Sequence, residues 1–257
     1  MASRGPDAST LEAAYVLHRR PYRDSSLIAD LLTMDNGRIA LVARGARRPR
    51  SRAACVNQLF QPLAVSWCGK GDMGTLNRAE ATLPPWLLQG QVLFSGLYIN
   101  ELLVRLLPRH APCPEIFLLY AEVMAGLSAA DANDTAIQQR LRWFEVQLLQ
   151  RMGYGLDLEH ESDTGVHVDG NGSYLYRHDI GIVRSAGPTG GAIAAHEGVM
   201  VSGRTLIGLR AGQMVREPDL KEAKRLMRFI LSEYIGHRPL NSREVFKAFL
   251  HHRTRAG

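Results

Sequence analysis

The dipeptide Asn36-Gly37 does most to limit what this chain can fold into. It lies between two apolar runs, Leu27-Ile28-Ala29-Asp30-Leu31-Leu32-Thr33 and Arg38-Ile39-Ala40-Leu41-Val42. Asn and Gly both tolerate positive φ, so the pair predicts a tight turn between antiparallel strands. Three further strand-like segments flank this hairpin: Ala14 to His18, ahead of a polar turn at Arg20-Pro21; Phe60 to Trp67; and Thr75 to Ala81, after the turn Gly69-Lys70-Gly71-Asp72. Pro62 points to an edge or a bulge, because proline cannot donate to a ladder. Five short strands with tight turns and no long helix predict a small closed barrel, and the five-stranded oligonucleotide-binding (OB) barrel fits best. That domain is expected over residues 1–83.

The third strand runs into Val42-Ala43-Arg44-Gly45-Ala46-Arg47-Arg48-Pro49-Arg50-Ser51-Arg52, which holds five arginines within nine residues and no acid. Guanidinium is planar, always charged and weakly hydrated, and it pairs two phosphate oxygens at once. An isolated charge run is more often a solvated loop. At the end of a barrel strand it reads instead as a nucleic-acid surface. Lys70 lies in a Gly-rich turn but lacks the GxxxxGK[ST] spacing of a P-loop, so it is a second DNA contact or a plain turn lysine.

At Pro84-Pro85 the pattern changes, and residues 84–257 are expected to form a mainly helical domain. The fold class is therefore α+β. Helices are predicted over Gly90 to Leu107, Pro114 to Leu127, Thr135 to Met152, Gly203 to Arg210, Pro218 to Ile235 and Ser242 to His251. The third has an apolar face of Ile137, Leu141, Phe144, Leu148 and Leu149, with Arg140 and Arg142 beside it. Asn241 with Glu244 resembles a capping box. Between about 156 and 200 lies a Gly-rich, cysteine-free insert with a short hairpin at Tyr174–Arg177 and Gly181–Arg184.

The net charge of +6 divides into about +5 over residues 1–90, −5 over 91–209 and +6 over 210–257. Two basic ends around an acidic middle favour a directed polyanion surface over a uniformly sticky protein. Cys55, Cys68 and Cys113 are odd in number and widely spaced, which excludes a disulfide framework and a four-cysteine zinc site. No apolar run is long enough to span a bilayer, and the first ten residues lack a signal-peptide core, so a cytoplasmic protein with a frayed leader is expected.

Taken in order, several stretches resemble the RecO family of bacterial recombination mediators. They are Val16-Leu17-His18-Arg19-Arg20-Pro21-Tyr22, Gly37-Arg38, Val42-Ala43-Arg44-Gly45-Ala46-Arg47, Gln61-Pro62, Tyr98-Ile99-Asn100-Glu101-Leu102-Leu103, Leu141-Arg142-Trp143-Phe144-Glu145, Gly153-Tyr154-Gly155 and Ser242-Arg243-Glu244. The resemblance implies an OB barrel followed by a helical domain, with a β-rich or zinc-bearing insert. It implies binding to single- and double-stranded DNA and annealing of complementary strands. It also implies action with RecR to help RecA displace single-strand-binding protein (SSB), with no bond made or broken, hence no enzyme and no cofactor. A nucleoid-associated place in the cytoplasm follows. Many relatives carry paired cysteines after Gly-Tyr-Gly, but residues 156–180 here contain none, so no metal is expected.

Arg38, Arg44, Arg47, Arg48, Arg50, Arg52 and Lys70 are the candidate DNA contacts, with Tyr15 or Phe60 weighed as a base-stacking aromatic against the stronger expectation that both fill the core. In the family a pocket on the helical domain receives the acidic, Phe-ended tail of SSB. Arg142 matches the family position, with Arg140 and Trp143 beside it, against the alternative of an ordinary helix-surface ion pair. Two rival functions use other features. A metal-dependent nuclease would use the acidic and histidine loop Asp157, Glu159, His160, Glu161, Asp163, His167, Asp169 and His178. An RNA-binding barrel protein would use the same OB surface.

Overall fold

A computed structural model describes residues 10–69, 71–129, 134–185, 198–214, 216–236, 239–242 and 244–246. Strands β1 (Glu12–Tyr22), β2 (Ser26–Thr33), β3 (Gly37–Ala43), β4 (Leu63–Cys68) and β5 (Gly74–Ala81) close into a barrel in the order β1-β2-β3-β5-β4. β1 returns to pair with β4, and β3 with β5 is the one parallel pair among them. Val16, Leu31, Ile39, Leu41, Leu63 and Val65 fill the interior. This is the expected OB barrel, with helices after it.

The expected hairpin forms by a different device. Gly37 alone of the Asn-Gly pair has positive φ (67°), and a Cβ there would stand 2.0 Å from the Ala111 carbonyl oxygen. The turn is held by Glu12, a buried carboxylate on β1 that accepts from the Asp35 amide (2.6 Å), the Asn36 amide (3.0 Å) and Asn36 Nδ2 (2.7 Å). A carboxylate that collects three donors replaces the two left-handed residues of a type I′ turn.

β1 runs longer than predicted and shifts register between Val16 and His18. A bulge of this kind frees a backbone group from the ladder. The Leu17 carbonyl accepts from Asn100 Nδ2 (2.9 Å), and Asn100 Oδ1 accepts from the Tyr120 hydroxyl (2.9 Å). Asn100 lies on α1 (Gly90–Leu106) and Tyr120 on α2 (Pro114–Ala129), so α1 is bonded directly to the barrel and α2 is linked to it through Asn100. Tyr15 packs against Trp86, Phe117 and Tyr120 and is only 6% exposed. Phe60, at φ 59°, is also buried, and its conformation delays β4 to Leu63. Neither ring is open to stack on a base; both fill the core.

One compact unit runs to Ser128 and takes in the chain from Pro239; the other spans Ala129–Arg238. The first unit therefore extends past the point near residue 84 where strands give way to helices. Its last segment is fastened by Glu101 of α1, which accepts from the Asn241 amide, the Ser242 amide and Ser242 Oγ (2.7–2.9 Å) and pairs with Arg105. Arg105 in turn donates to the Pro239 carbonyl. The capping-box start expected there is replaced by this distant carboxylate; Arg243 and the residues from Lys247 onward lie outside the described residues.

Burial raises the Glu101 pKa, but the bonds from Ser242 and Asn241 and the Arg105 charge outweigh it, leaving the pKa below the ordinary Glu value. A depressed carboxylate stabilises the fold above its unfolded pKa and loses that contribution as pH falls through the folded one. Glu101→Gln should thus be destabilised against wild type at pH 7, and the gap should close as pH drops below about 4. Urea unfolding across that range checks it, and a gap independent of pH would contradict the assignment.

The second unit contains α3 (Asp134–Arg151), β6 (Ser173–Arg177), β7 (Gly181–Arg184), β8 (Val199–Ser202), α4 (Gly203–Ala211) and α5 (Glu217–Ile235). The insert forms an antiparallel sheet in the order β7-β6-β8. β8 was not expected, because Val199–Ser202 is too short and too close to glycine to show a period. Ser202 caps α4, and Glu222 of α5 accepts from its amide, its hydroxyl and Thr205 Oγ1.

Candidate nucleic-acid interface

The arginine loop leaves β3 where β3 meets β5, at Leu41 opposite Gly74 and Val42 opposite Thr75. It is built from successive turns: Arg48 N donates to Gly45 O, Ser51 N to Arg48 O and Ala54 N to Ser51 O. A 3-10 turn over Ala54–Asn57 closes it. Ala46 and Val56 are buried in the barrel core, and Asn57 Nδ2 holds the Ala46 carbonyl at 2.7 Å. The loop is also stitched to the β1–β2 turn, through Arg47 N to Ser25 O (3.0 Å) and Arg47 Nη1 to Asp24 O (3.4 Å). Two apolar anchors and these bonds fix the backbone while Arg44, Arg47, Arg48, Arg50 and Arg52 remain exposed. Among the described residues none of the five pairs with a carboxylate. Guanidinium groups on a fixed backbone, with no carboxylate partner among the described residues, are what a polyanion needs, since no ion pair must be broken to bind it.

Arg38 stands apart from the other five. It is largely buried, paired with Asp30 at 3.2 Å, and its Nε donates to the Leu107 carbonyl. Asp30 also takes Arg109, which reaches the Asp72 carbonyl. Arg38 thus ties the barrel to the segment after α1, with its charge already answered by Asp30. Lys70 lies outside the described residues.

On α3 the buried face includes Arg142 and Glu145, whereas Leu141 is only half-buried. The structure therefore puts Arg142 inside the face that it was expected to flank. The Arg142 side chain is 9% exposed and pairs at 2.6 Å with Glu145, which is fully buried. Arg142 Nε finds no acceptor among the described residues. Arg140 and Trp143 are half-buried, and Trp143 packs on Gly212 at the end of α4, where an added Cβ would lie 2.9 Å from the indole. Simple periodicity missed the pair because it counts arginine and glutamate as surface residues.

The acidic and histidine loop is mostly spent on its own folding. Asp157 accepts from the Glu159 and His160 amides and from the His160 ring. Buried Glu161 accepts from the Thr164 hydroxyl and pairs with exposed Arg184, and His178 stacks on Phe229. Among the described residues only Glu159, His160 and His167 bring ligand atoms together, within 4.8 Å of one another, and Glu159 is paired with Arg210. Structural zinc takes four ligands, usually with thiolates, so this set of three does not fit a structural zinc site. Metal analysis of the purified protein should find less than stoichiometric zinc, and a chelator should leave the melting temperature unchanged. Stoichiometric zinc would contradict this reading.

Comparison with known proteins agrees with the geometry of the barrel and helices. Residues 9–84 match the model for the N-terminal domain of recombination protein O, and residues 87–244 match that for its C-terminal domain. The chain is 44% identical over 243 residues to the DNA repair protein RecO of Methylococcus capsulatus, covering 95% of each chain. It is 40% identical to the protein of that name from Azoarcus sp., over 93% of this chain and 96% of the relative. The RecO of Haemophilus influenzae is 39% identical with the same coverage. The chain belongs to the RecO family.

The two matched segments divide between residues 84 and 87, just after the last barrel strand ends at Ala81. Two residues of the RecO-like stretch Tyr98–Leu103 now have physical roles that sequence reading did not supply: Asn100 satisfies the β1 bulge, and Glu101 fastens the last segment. The available signal was a polar pair, Asn100-Glu101, inside an otherwise apolar helix. No helix of the described residues is long and apolar enough to cross a membrane.

Proposed function

We propose that this RecO-family DNA repair protein is a non-enzymatic mediator that binds single- and double-stranded DNA and anneals complementary strands. With RecR it helps load RecA onto SSB-coated single strands, in the nucleoid region of the cytoplasm. The observation that carries the reading is the arginine loop: five exposed guanidinium groups on an anchored backbone at the edge of an OB barrel. Phosphate contacts of this kind give sequence-independent affinity, which a protein acting at any site of damage requires.

For the acidic SSB tail, α3 is the docking element. Half-buried Arg140 and Trp143 are the contacts, and Arg142 lies behind them, its Nε–H buried and without an acceptor among the described residues. Arg142 has a structural role as well, through Glu145.

The test is annealing of fluorescently labelled complementary strands precoated with SSB. Addition of the protein should speed annealing, and SSB without its tail should reduce the gain. Annealing at the rate of the protein-free control would contradict the proposal, and magnesium-dependent cleavage of the strands would replace it with a nuclease.

A further inference from the structure

We propose that a cavity between the β1–β2 turn and the arginine loop receives one unpaired nucleotide of single-stranded DNA, its base against Tyr22 and Arg23 and its phosphate on Arg44 and Arg48. The proposal rests on the reading of the barrel as a DNA-binding surface and narrows it to a residue set and a strand state. The cavity has a volume of about 460 Å³, within the range of roughly 300–1,000 Å³ found for pockets that hold small organic ligands. Three arginines, Arg23, Arg44 and Arg48, line it together with Ser25, Ser26 and Thr75, and no carboxylate is among the described residues that line it. That chemistry selects an anion with hydrogen-bond acceptors. A phosphodiester with its sugar meets the description.

Tyr22 adds what a bare phosphate site would not need. It is half-buried at the end of β1, and the Arg23 guanidinium lies over its ring at 5.2 Å from the centroid. A planar cation on an aromatic face is a platform for a further planar group, and every base has such a face. In a duplex the flat faces of the bases are covered by stacking, leaving phosphates, sugars and base edges to the protein. A base-sized cavity beside an aromatic therefore discriminates by strand state. Neither Tyr22 nor Arg23 belongs to the arginine run, so charge counting along the sequence does not reveal them.

The two walls are held in register. The bonds from Arg47 to Ser25 and Asp24 cross from the loop to the turn, so the cavity exists before DNA arrives. Arg23 itself sits at φ 52°, in the left-handed region that disfavours a side chain. Glycine would suit the backbone better at this position, yet an arginine is there, and it is one of the residues that line the cavity. Strain retained at a turn whose side chain faces a cavity is consistent with a binding role.

The experiment titrates wild type, Tyr22→Leu and Arg23→Gly with a single-stranded oligonucleotide, a blunt duplex of the same length and a single strand carrying abasic sugars throughout. Tyr22→Leu should weaken single-strand binding by roughly 5- to 150-fold, leave duplex binding unchanged and bind the abasic strand as wild type does. Arg23→Gly should also weaken single-strand binding while its melting temperature stays level or rises, so loss of fold cannot mimic the effect. If both variants bind single strands like wild type, or lose single-strand and duplex binding in parallel, the cavity is not a base site and backbone binding still stands. Wild type that binds neither DNA overturns the DNA reading and this proposal with it.

Discussion

Arg142→Ala should destabilise the Ala129–Arg238 unit by about 3–5 kcal/mol, a larger loss than removal of any exposed arginine. The side chain is 9% exposed and pairs at 2.6 Å with a Glu145 that has no exposed surface. Taking away the guanidinium strips a charge partner from a carboxylate in a low-dielectric setting, where such a group is costly. It also leaves a cavity on the buried face of α3, where Val146 lies one turn further along. Arg142→Lys keeps the charge and should lose less. The check is the denaturant midpoint of each variant, read alongside SSB-tail binding under conditions where the protein is folded. An unchanged midpoint with lost tail binding would make Arg142 a surface contact and contradict the buried-pair account.

Replacing Arg47, Arg48 and Arg50 together with alanine should weaken single-stranded DNA binding at every sequence tested, by roughly a hundredfold near 0.1 M salt. Each neutralised phosphate contributes a slope of ~0.7 in log K against log salt, so three lost contacts remove about two decades at that salt. The substitutions should leave the fold intact, since Ala46 and Val56, rather than the arginine heads, anchor the loop. Arg47 is the partial exception, because Arg47 Nη1 also reaches the Asp24 carbonyl; its backbone bond to Ser25 survives the substitution. A loss confined to some sequences would point to base reading instead of phosphate contact.

The barrel was legible because its signals are local. Asn36-Gly37, the alternating strands and the Pro84-Pro85 break each act within a few residues, and turn chemistry and side-chain period carry them. The hidden parts are those where a distant residue supplies the partner. Glu12 holds a turn about two dozen positions away, Asn100 completes a bulge at Leu17, and Glu101 fastens Ser242. No window along the sequence contains both halves of such a contact. Arginine clustering correctly marked the exposed loop, but charge alone could not separate Arg44 or Arg48 from Arg38, whose partner Asp30 lies on the neighbouring strand. The same blindness placed Arg142 beside the buried face of its helix when it is part of that face. Tyr15 and Tyr22 look alike in the sequence, yet one is packed among three aromatic rings and the other borders an open cavity.

The central claim is that the barrel binds DNA through phosphates at the arginine loop. The direct measurement is the affinity of wild type for single-stranded DNA across a salt series, plotted as log K against log salt and compared with the Arg47, Arg48 and Arg50 triple variant. The account predicts a linear fall whose slope is steeper in wild type by about 2, at ~0.7 per phosphate. Equal slopes in the two proteins, with both folded, would contradict it and move the DNA surface elsewhere.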